Sequence, residues 1–475
     1  MANNPIKFGT DGWRAIIAED FTFDNVRVCA QATAQYLKRS GLAERGVVIG
    51  YDTRFESDAF AAACAEVLAA NEIVVHLCST FAPTPVIGYA ILTHKAGGSI
   101  VITSSHNPAT YNGFKFRTEW GGSAPPEILS QIEALADDAY GRAVPRLPLD
   151  AAKSRGLVRM FDPKPAYMQH IGDLLDLDRL RNTGLRVVAD PMHGAGMGYI
   201  REAISGGSTD VYEIRGDINP AFPGMHNPEP IARNLEMTVA AVKDLGAKVA
   251  LCTDGDADRV GLIDHTGRFV NQLETYALLA YYLLEVRGDR GPMVKSVTTT
   301  SMIWKLGKEY GVPVYETPVG FKFLGPKMVE KDAIIAGEES GGFAFRGHLP
   351  ERDGVLSGLY ILDLMAQRGK DLPALIAEVF AKVGAHYYDR IDITLTSAER
   401  DRIADLLPSM EPKELAGLPV ERCDRTDGLR FMLPDGAWAL IRLSGTEPLM
   451  RIYTEVLQES QVQPVLQAVR EITGA

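Results

Sequence analysis

The chain has 475 residues, too long for one hydrophobic core, so two to four domains are expected. Its 46% hydrophobic and 23% charged residues are those of an ordinary soluble globular protein. The net charge of −12 argues against nucleic acid or an anionic membrane as main partner, and no apolar run approaches the ~20 residues of a membrane span. The N-terminus shows no secretory-signal pattern. The five cysteines (Cys29, Cys64, Cys78, Cys252, Cys423) are scattered and never in CxxC spacing, which points to reduced core thiols in a cytoplasmic protein.

Phe8-Gly9-Thr10-Asp11-Gly12-Trp13-Arg14 comes first, either a tight loop presenting Arg14 to an anion or a plain turn. Residues 26–37 carry Val26, Cys29, Thr33, Tyr36 and Leu37 at helical spacing, ended by Gly41. Val47-Val48-Ile49-Gly50 reads as a buried strand running into Tyr51-Asp52-Thr53-Arg54, with a helix and the strand Ile73-Val74-Val75 after it. Such alternation predicts a mostly parallel sheet with right-handed crossovers. Gly98-Ser99-Ile100-Val101-Ile102 is a further strand, and it stops in Thr103-Ser104-Ser105-His106-Asn107-Pro108. Ligands bind at the C-terminal ends of strands in such sheets. Two hydroxyls, an imidazole and an amide there could surround a phosphate and activate a nucleophile; a polar turn is the alternative. Tyr111-Asn112-Gly113-Phe114-Lys115 turns back and brings Lys115 near Ser105.

Residues 141–165, rich in Pro, Lys and Arg, read as the exit from a first domain. The pattern then restarts. Leu185 to Asp190 is a strand leading into Pro191-Met192-His193-Gly194-Ala195-Gly196-Met197-Gly198; Tyr199 occupies the third glycine's place in GxGxxG, so a dinucleotide is not expected. Val249 to Cys252 ends in Thr253-Asp254-Gly255-Asp256-Ala257-Asp258-Arg259. Three aspartates in five residues repel one another unless a cation neutralises them, and hard oxygen ligands suit Mg²⁺ or Ca²⁺. An EF-hand would need Gly at Arg259 and Glu at His265, so that motif is excluded.

A third restart follows. Met293 to Val297 is a strand, then a helix spans Met302 to Tyr310, and Thr317 to Lys322 is a turn carrying a lysine. Ala333 to Ala336 ends in Gly337-Glu338-Glu339-Ser340-Gly341-Gly342, whose glycines let backbone approach a polar ligand. Three times, then, an apolar strand delivers a short loop, a degenerate repeat that predicts three related α/β domains aimed at one cleft. The last segment alternates instead (Ile391, Ile393, Leu395; Trp438, Leu440; Met450, Ile452, Thr454, Val456), predicting antiparallel strands of an α+β domain. Between two of them, Arg442-Leu443-Ser444-Gly445-Thr446-Glu447-Pro448 makes a phosphate cradle.

TSSHNP, DGDADR, GEESGG and RLSGTEP, in this order from Phe8 to Pro448, together resemble the α-D-phosphohexomutase superfamily. The resemblance implies three α/β domains with mixed sheets and a C-terminal α+β domain around a central cleft, divided as 1–158, 159–267, 268–383 and 384–475. It implies a phosphoryl group carried by Ser105, and Mg²⁺ bound by Asp254, Asp256, Asp258 and a phosphoserine oxygen. Arg259 would stabilise transferring charge, Lys115 and His106 would handle the proton, and Arg14 and Lys322 would add positive charge. Arg442, Ser444, Gly445 and Thr446 would hold the distal phosphate, while Glu338, Ser340 and His348 would bind substrate. The resemblance further implies a cycle through glucose 1,6-bisphosphate, in a cytoplasmic monomer or homodimer that would act on hexose phosphates.

Thr317 to Phe323, Gly337 to Ser340 and His348 to Gly354 resemble phosphoglucomutases; phosphoglucosamine mutases usually have Gln at Glu339, and bifunctional phosphomannomutases often have Met. Ala15 replaces a glycine common after the loop arginine, which leaves mannose or dual specificity open, with a phosphoglucosamine mutase further off. Two rivals stand outside the family's chemistry. Asp256-Ala257-Asp258-Arg259-Val260 fits DxDxV of phosphatases with an aspartyl nucleophile, but leaves Ser105 and Arg442 without a role. A non-catalytic sugar-phosphate binder would need no phosphoserine.

Overall fold

The computed structural model describes residues 4–9, 11–444 and 449–474, and in it the apolar runs become the central strands of three mixed sheets. The first is built from β1 (Trp13–Ile16), β2 (Val47–Tyr51), β3 (Val75–Cys78), β4 (Gly98–Ile102), β5 (Tyr111–Thr118) and β6 (Val158–Phe161), ordered β1-β5-β4-β2-β3-β6. Val47, Val48 and Ile49 are fully buried, which is why their run is continuous rather than alternating. The second sheet uses β7 (Arg186–Asp190), β8 (Asp210–Glu213), β9 (Val249–Thr253), β10 (Val260–Asp264) and β11 (Phe269–Val270), ordered β11-β10-β9-β7-β8. The third uses β12 (Met293–Ser296), β13 (Val314–Thr317), β14 (Ile335–Gly337) and β15 (Phe343–Phe345), ordered β13-β12-β14-β15.

Each sheet has a parallel centre, but the strand that delivers a loop is followed by an antiparallel return: β5 on β4, β10 on β9, β15 on β14. The Ser105, triple-Asp and Glu-Ser loops therefore occupy equivalent places. The stretch 141–165, read from sequence as an unpatterned exit, differs from that reading. It forms the helix Leu149–Ser154 and β6, which pairs parallel with β3 and extends the first sheet. Arg159 and Met160 of β6 are exposed at this edge, so the apolar pattern that reveals a central strand is missing.

One continuous core joins these three sheets, with Val48 and Val101, Val187 and Leu251, and Met293 and Ile335 in the same cluster. The helices Gln272–Tyr281 and Gly354–Arg368 run through it. The last sheet comprises β16 (Tyr387–Thr394), a small hairpin of β17 (Glu414–Leu415) and β18 (Leu418–Pro419) beside it, β19 (Arg422–Asp424), β20 (Leu429–Met432), β21 (Trp438–Leu443) and β22 (Leu449–Val456). Its order is β16-β22-β21-β20-β19, antiparallel throughout. It has a separate core, in which Val465, Leu466 and Val469 of the helix Val462–Thr473 cover Phe431, Ile441 and Ile452. Among the described residues no helix is long and apolar enough to cross a membrane.

The last domain meets the third through a small apolar cluster, Leu273 with Trp438, Leu440 and Tyr453, and through polar ties. Glu455 of β22 is fully buried and accepts from Ser301 N at 2.7 Å, Ser301 Oγ at 2.6 Å and Trp438 Nε1 at 3.0 Å, as well as from the Thr300 hydroxyl. Its charge sits at the N-terminus of the helix Met302–Tyr310, where the helix dipole favours an anion. Glu455→Gln removes that charge and faces a donor toward donors, so about 2 kcal/mol of stability should be lost. Thermal unfolding followed by tryptophan fluorescence should show a midpoint several degrees lower; an unchanged midpoint would contradict this account of the docking.

Candidate active site

Ser105 follows β4 in a left-handed conformation (φ 52°), which costs a non-glycine residue free energy unless its surroundings impose it. Arg54 imposes it. Its fully buried guanidinium donates to the carbonyls of Ser105 (2.6 Å), Asn107 (2.6 Å), Pro108 (2.8 Å) and Tyr111 (3.0 Å). Asp52 holds Arg54 Nε at 3.2 Å and accepts from the Thr103 hydroxyl at 2.6 Å; Thr103 Oγ1 in turn accepts Ser105 N at 2.9 Å. The Ser105 hydroxyl donates to Asp254 Oδ2 at 2.9 Å and lies 3.4 Å from His106 Nδ1. Arg14 Nη1 donates to Asn107 Oδ1 at 2.7 Å. Burial, then Arg259, Arg14 and Lys115, hold the His106 imidazole well below its ordinary value.

The triple-Asp loop packs directly on this turn: a side chain on Gly255 would meet Ser105 O at 2.4 Å. The glycines of the second domain's first loop have the same purpose. A Cβ on Gly194 would lie 2.8 Å from the Gly255 backbone, and one on Gly196 would lie 2.5 Å from Thr253 Oγ1. They admit a backbone rather than a dinucleotide. Asp254, Asp256 and Asp258 are fully buried, each offering an oxygen within 4.8 Å of the others. Asp256 Oδ2 accepts from Thr84 Oγ1 at 2.7 Å and Lys115 Nζ at 2.9 Å. Arg352 Nη2 lies 2.8 Å from Asp258 Oδ2, while Arg259 donates its backbone N–H to Asp254 Oδ1 at 3.1 Å and Nη1 to Glu229 at 3.1 Å. Asp11 gathers the cations behind the triad, at 2.8 Å from Lys115, 2.6 Å from Arg117 and 3.0 Å from Arg352.

Even so the triad is short of positive charge. Burial, then Asp258 and Asp256, push the Asp254 carboxyl well up, and burial raises Asp258 against the pull of Arg352. For Asp256 burial acts in the same sense, but Lys115 and the Thr84 hydroxyl outweigh it and hold the group down. Asp256 Oδ1 and Asp258 Oδ1 are buried and accept no hydrogen bond among the described residues. Three convergent carboxylates with unused oxygens fit a hard divalent cation of the Mg²⁺ type.

The Glu-Ser loop closes on the same place, since Val260 N donates to Gly341 O at 2.9 Å. Glu338 accepts from Arg352 Nη1 at 3.2 Å, and Ser340 Oγ is buried without a partner among the described residues. Glu339 turns the other way, toward the last domain. There Asp427 accepts from Arg442 Nε and from Val319 N, both at 2.9 Å, so Arg442 adjoins the turn carrying Lys322. Burial and then Arg442 lower the Lys322 ammonium. Ser444 is buried at the end of β21; Gly445 and Thr446 lie outside the described residues.

His348 is a correction. Its side chain is fully buried, stacked on His170 and hydrogen-bonded by one ring nitrogen to His170 Nε2 at 3.0 Å and by the other to Asp353 Oδ2 at 2.9 Å. Neither nitrogen is left for a sugar. Among the described residues, Ser105, His106, Arg14, Lys115, the three aspartates, Arg259 and Glu338 form one connected network, with Lys322 and Arg442 together on its C-terminal side. Asp11, Asp52, Arg54, Thr84, Glu229 and Arg352 belong to this network without having been singled out. The only trace Asp52 and Arg54 leave in the sequence is their place at a strand's C-terminal end, shared with the three loops.

The fold and this network define a phosphoryl-transferring isomerase of hexose phosphates. Family models of phosphoglucomutase/phosphomannomutase match residues 5–141 (alpha/beta/alpha domain I), 165–267 (domain II), 272–383 (domain III) and 397–472 (C-terminal domain). A phosphoglucomutase/phosphomannomutase of Thermococcus kodakarensis is 32% identical over 97% of this chain and 96% of its own, and a phosphoglucosamine mutase of Desulforamulus reducens is 28% identical over 98% and 99%. A crystal structure from Thermus thermophilus, provisionally assigned as a phosphomannomutase, superposes with a TM-score of 0.86 at 35% identity, covering 99% of both chains. The chain belongs to the phosphoglucomutase/phosphomannomutase family of the α-D-phosphohexomutase superfamily.

Arg54→Lys should test the origin of the serine turn. A lysine has one compact head and cannot span four carbonyls. Displacing Ser105 by about 1 Å should lower kcat about 100-fold, and the buried carbonyls left without a donor should lower the melting temperature as well. A variant with wild-type turnover would show that the turn forms without the guanidinium.

Proposed function

We propose that the protein interconverts glucose 1-phosphate and glucose 6-phosphate through a phosphoserine at Ser105 and a glucose 1,6-bisphosphate intermediate. The observation that carries this reading is the Ser105 hydroxyl seated on Asp254 at the edge of the buried carboxylate triad, while Arg442 and Lys322 lie together on the side of the last domain. The nucleophile and most of the proposed distal-phosphate grip come from different domains, with Lys322 of the third domain beside Arg442.

In the first half-cycle a sugar hydroxyl oxygen bonds to phosphorus and the bond from phosphorus to Ser105 Oγ breaks. The proton leaves the sugar hydroxyl and one is returned to Ser105 Oγ; we assign Lys115 and His106 to hold it in between. After reorientation, Ser105 Oγ takes the other phosphate by the reverse step. Phosphoryl transfer of this kind depends on positioning and charge compensation. Arg259 and Arg14 supply compensating charge beside the serine turn, and Arg442, Ser444, Gly445, Thr446 and Lys322 grip the non-reacting phosphate. Glu338 and Ser340 read sugar hydroxyls. Mg²⁺ held by Asp254, Asp256, Asp258 and a phosphoserine oxygen would neutralise charge on the phosphoryl group when bound. The Thermococcus relative and the Thermus structure favour a second reading, in which mannose phosphates are also turned over. We further assign the enzyme to the cytoplasm and divide the domains near residues 267 and 383 and after β6, since a division at 158 would cut that strand from the first sheet.

Ser105→Ala should abolish turnover while leaving thermal unfolding unchanged, and near-normal activity would refute the nucleophile assignment. Labelled phosphate should be acid-stable on Ser105; an alkali-labile acyl phosphate on Asp256 would favour phosphatase chemistry. Excess chelator should stop turnover and Mg²⁺ should restore it, whereas Asp256→Asn should bind the metal more weakly by calorimetry. Comparing kcat/KM for glucose, mannose and glucosamine 1-phosphates, with the bisphosphate present, ranks the substrates.

A further inference from the structure

Glu339 lies between two residues assigned to the sugar, yet its carboxylate leaves the loop on the opposite side. Oε1 accepts from the Tyr388 hydroxyl at 2.6 Å and from Arg390 Nη1 at 3.0 Å, and Oε2 lies 3.3 Å from the same nitrogen. Both partners are on β16, the first strand of the last domain. The Glu339 side chain is only 12% exposed and that of Arg390 24%. Arg390 also lies over the ring of Tyr453, its cross-strand partner on β22, at 6.0 Å. Burial and then Glu339 push the Tyr388 phenol well up, so it remains a donor.

The surroundings make this contact matter. The last domain has its own core and does not share the one that joins the other three sheets. A cavity of about 650 Å³, lined in part by Phe380, His386, Tyr387 and Tyr388, opens at the same junction, and the apolar contact across it is the small cluster of Leu273 with Trp438, Leu440 and Tyr453. Other polar ties among the described residues, at Glu455, Glu316, Asp427 and the Val297 carbonyl, end on the helix Met302–Tyr310, on β13, on the turn before Lys322 and just after β12. The Glu339 tie ends on the Glu-Ser loop itself, which Gly341 fastens to the start of β10.

We propose that Glu339 is a positioning residue that fixes the sugar-facing loop and the C-terminal domain to each other through Tyr388 and Arg390, and does not itself read the sugar. It acts on every hexose phosphate alike, by setting how firmly the distal-phosphate side closes. The proposal rests on the mutase reading above for its kinetic consequence, but not for its structural one.

The test uses the full-length enzyme with glucose, mannose and glucosamine 1-phosphates. Glu339→Gln should raise KM about tenfold for each sugar that the wild type accepts, leaving their relative kcat/KM within about twofold. Arg390→Met should do the same, and Glu339→Gln with Arg390→Met should be no worse than the worse single variant, since both remove one tie. Tyr388→Phe, the mildest change, should raise KM about threefold and serves if either charge variant unfolds. Small-angle scattering of ligand-free Glu339→Gln should give a larger radius of gyration than the wild type. Additive effects of the pair, a tenfold change in sugar preference, or an unchanged radius with unchanged KM would each overturn the proposal. If the wild type turns over none of the three sugars the mutase reading fails, and the scattering comparison alone decides the tie.

Discussion

Burying three carboxylates in one five-residue loop is the constraint on which the rest of this molecule depends. At the spacing seen here, mutual repulsion in a low-dielectric interior is far larger than any single packing gain. The protein answers with one cation from each of its first three sheets: Lys115 from β5, Arg259 beside β10, and Arg352 after β15. Asp11 then ties Lys115 and Arg352 together from behind. The charge cluster is thus also a point where three domains are fastened, above the apolar core they share.

Compensation is incomplete at the face toward Ser105. The hydroxyl reaches Asp254, whose carboxyl burial and neighbouring acids have raised, while oxygens of Asp256 and Asp258 stay unused. A fully neutralised cluster would have no affinity for a cation, and a wholly uncompensated one would not fold. The C-terminal domain stands apart from this balance of charge. It has its own core and meets the others through a small apolar cluster around Leu273 and through carboxylates at Glu455, Glu316 and Glu339, of which Glu455 is fully buried.

Much of this is legible in the chain because buried parallel strands announce themselves as apolar runs, and because the loops at their ends carry residue types that have few other uses. The Asp cluster is the plainest case. What stays hidden shares a physical reason. Arg54 and Arg352 have no motif around them that marks their partners, and only the fold reveals that one meets four carbonyls and the other four acids. His348 shows the reverse case: a polar residue within a functional stretch reads as bearing on the ligand, whereas a loop has no fixed periodicity to say which side each residue takes, and here both ring nitrogens are engaged by His170 and Asp353. The edge strand β6 escapes because a half-exposed edge needs little apolar pattern.

The antiparallel return after each loop has a consequence for how such a chain can change. Along β5, Lys115 lies between Phe114 and Phe116, whose rings are in the first domain's core. Adding or deleting one residue between β4 and β5 would shift the pairing by a step and exchange the two faces. The ammonium would then be driven among hydrocarbon and an aromatic ring would meet the aspartates. Loop length is therefore under as tight a lock as loop composition, and natural variation in length should be displaced to the crossovers on the far side of the sheets.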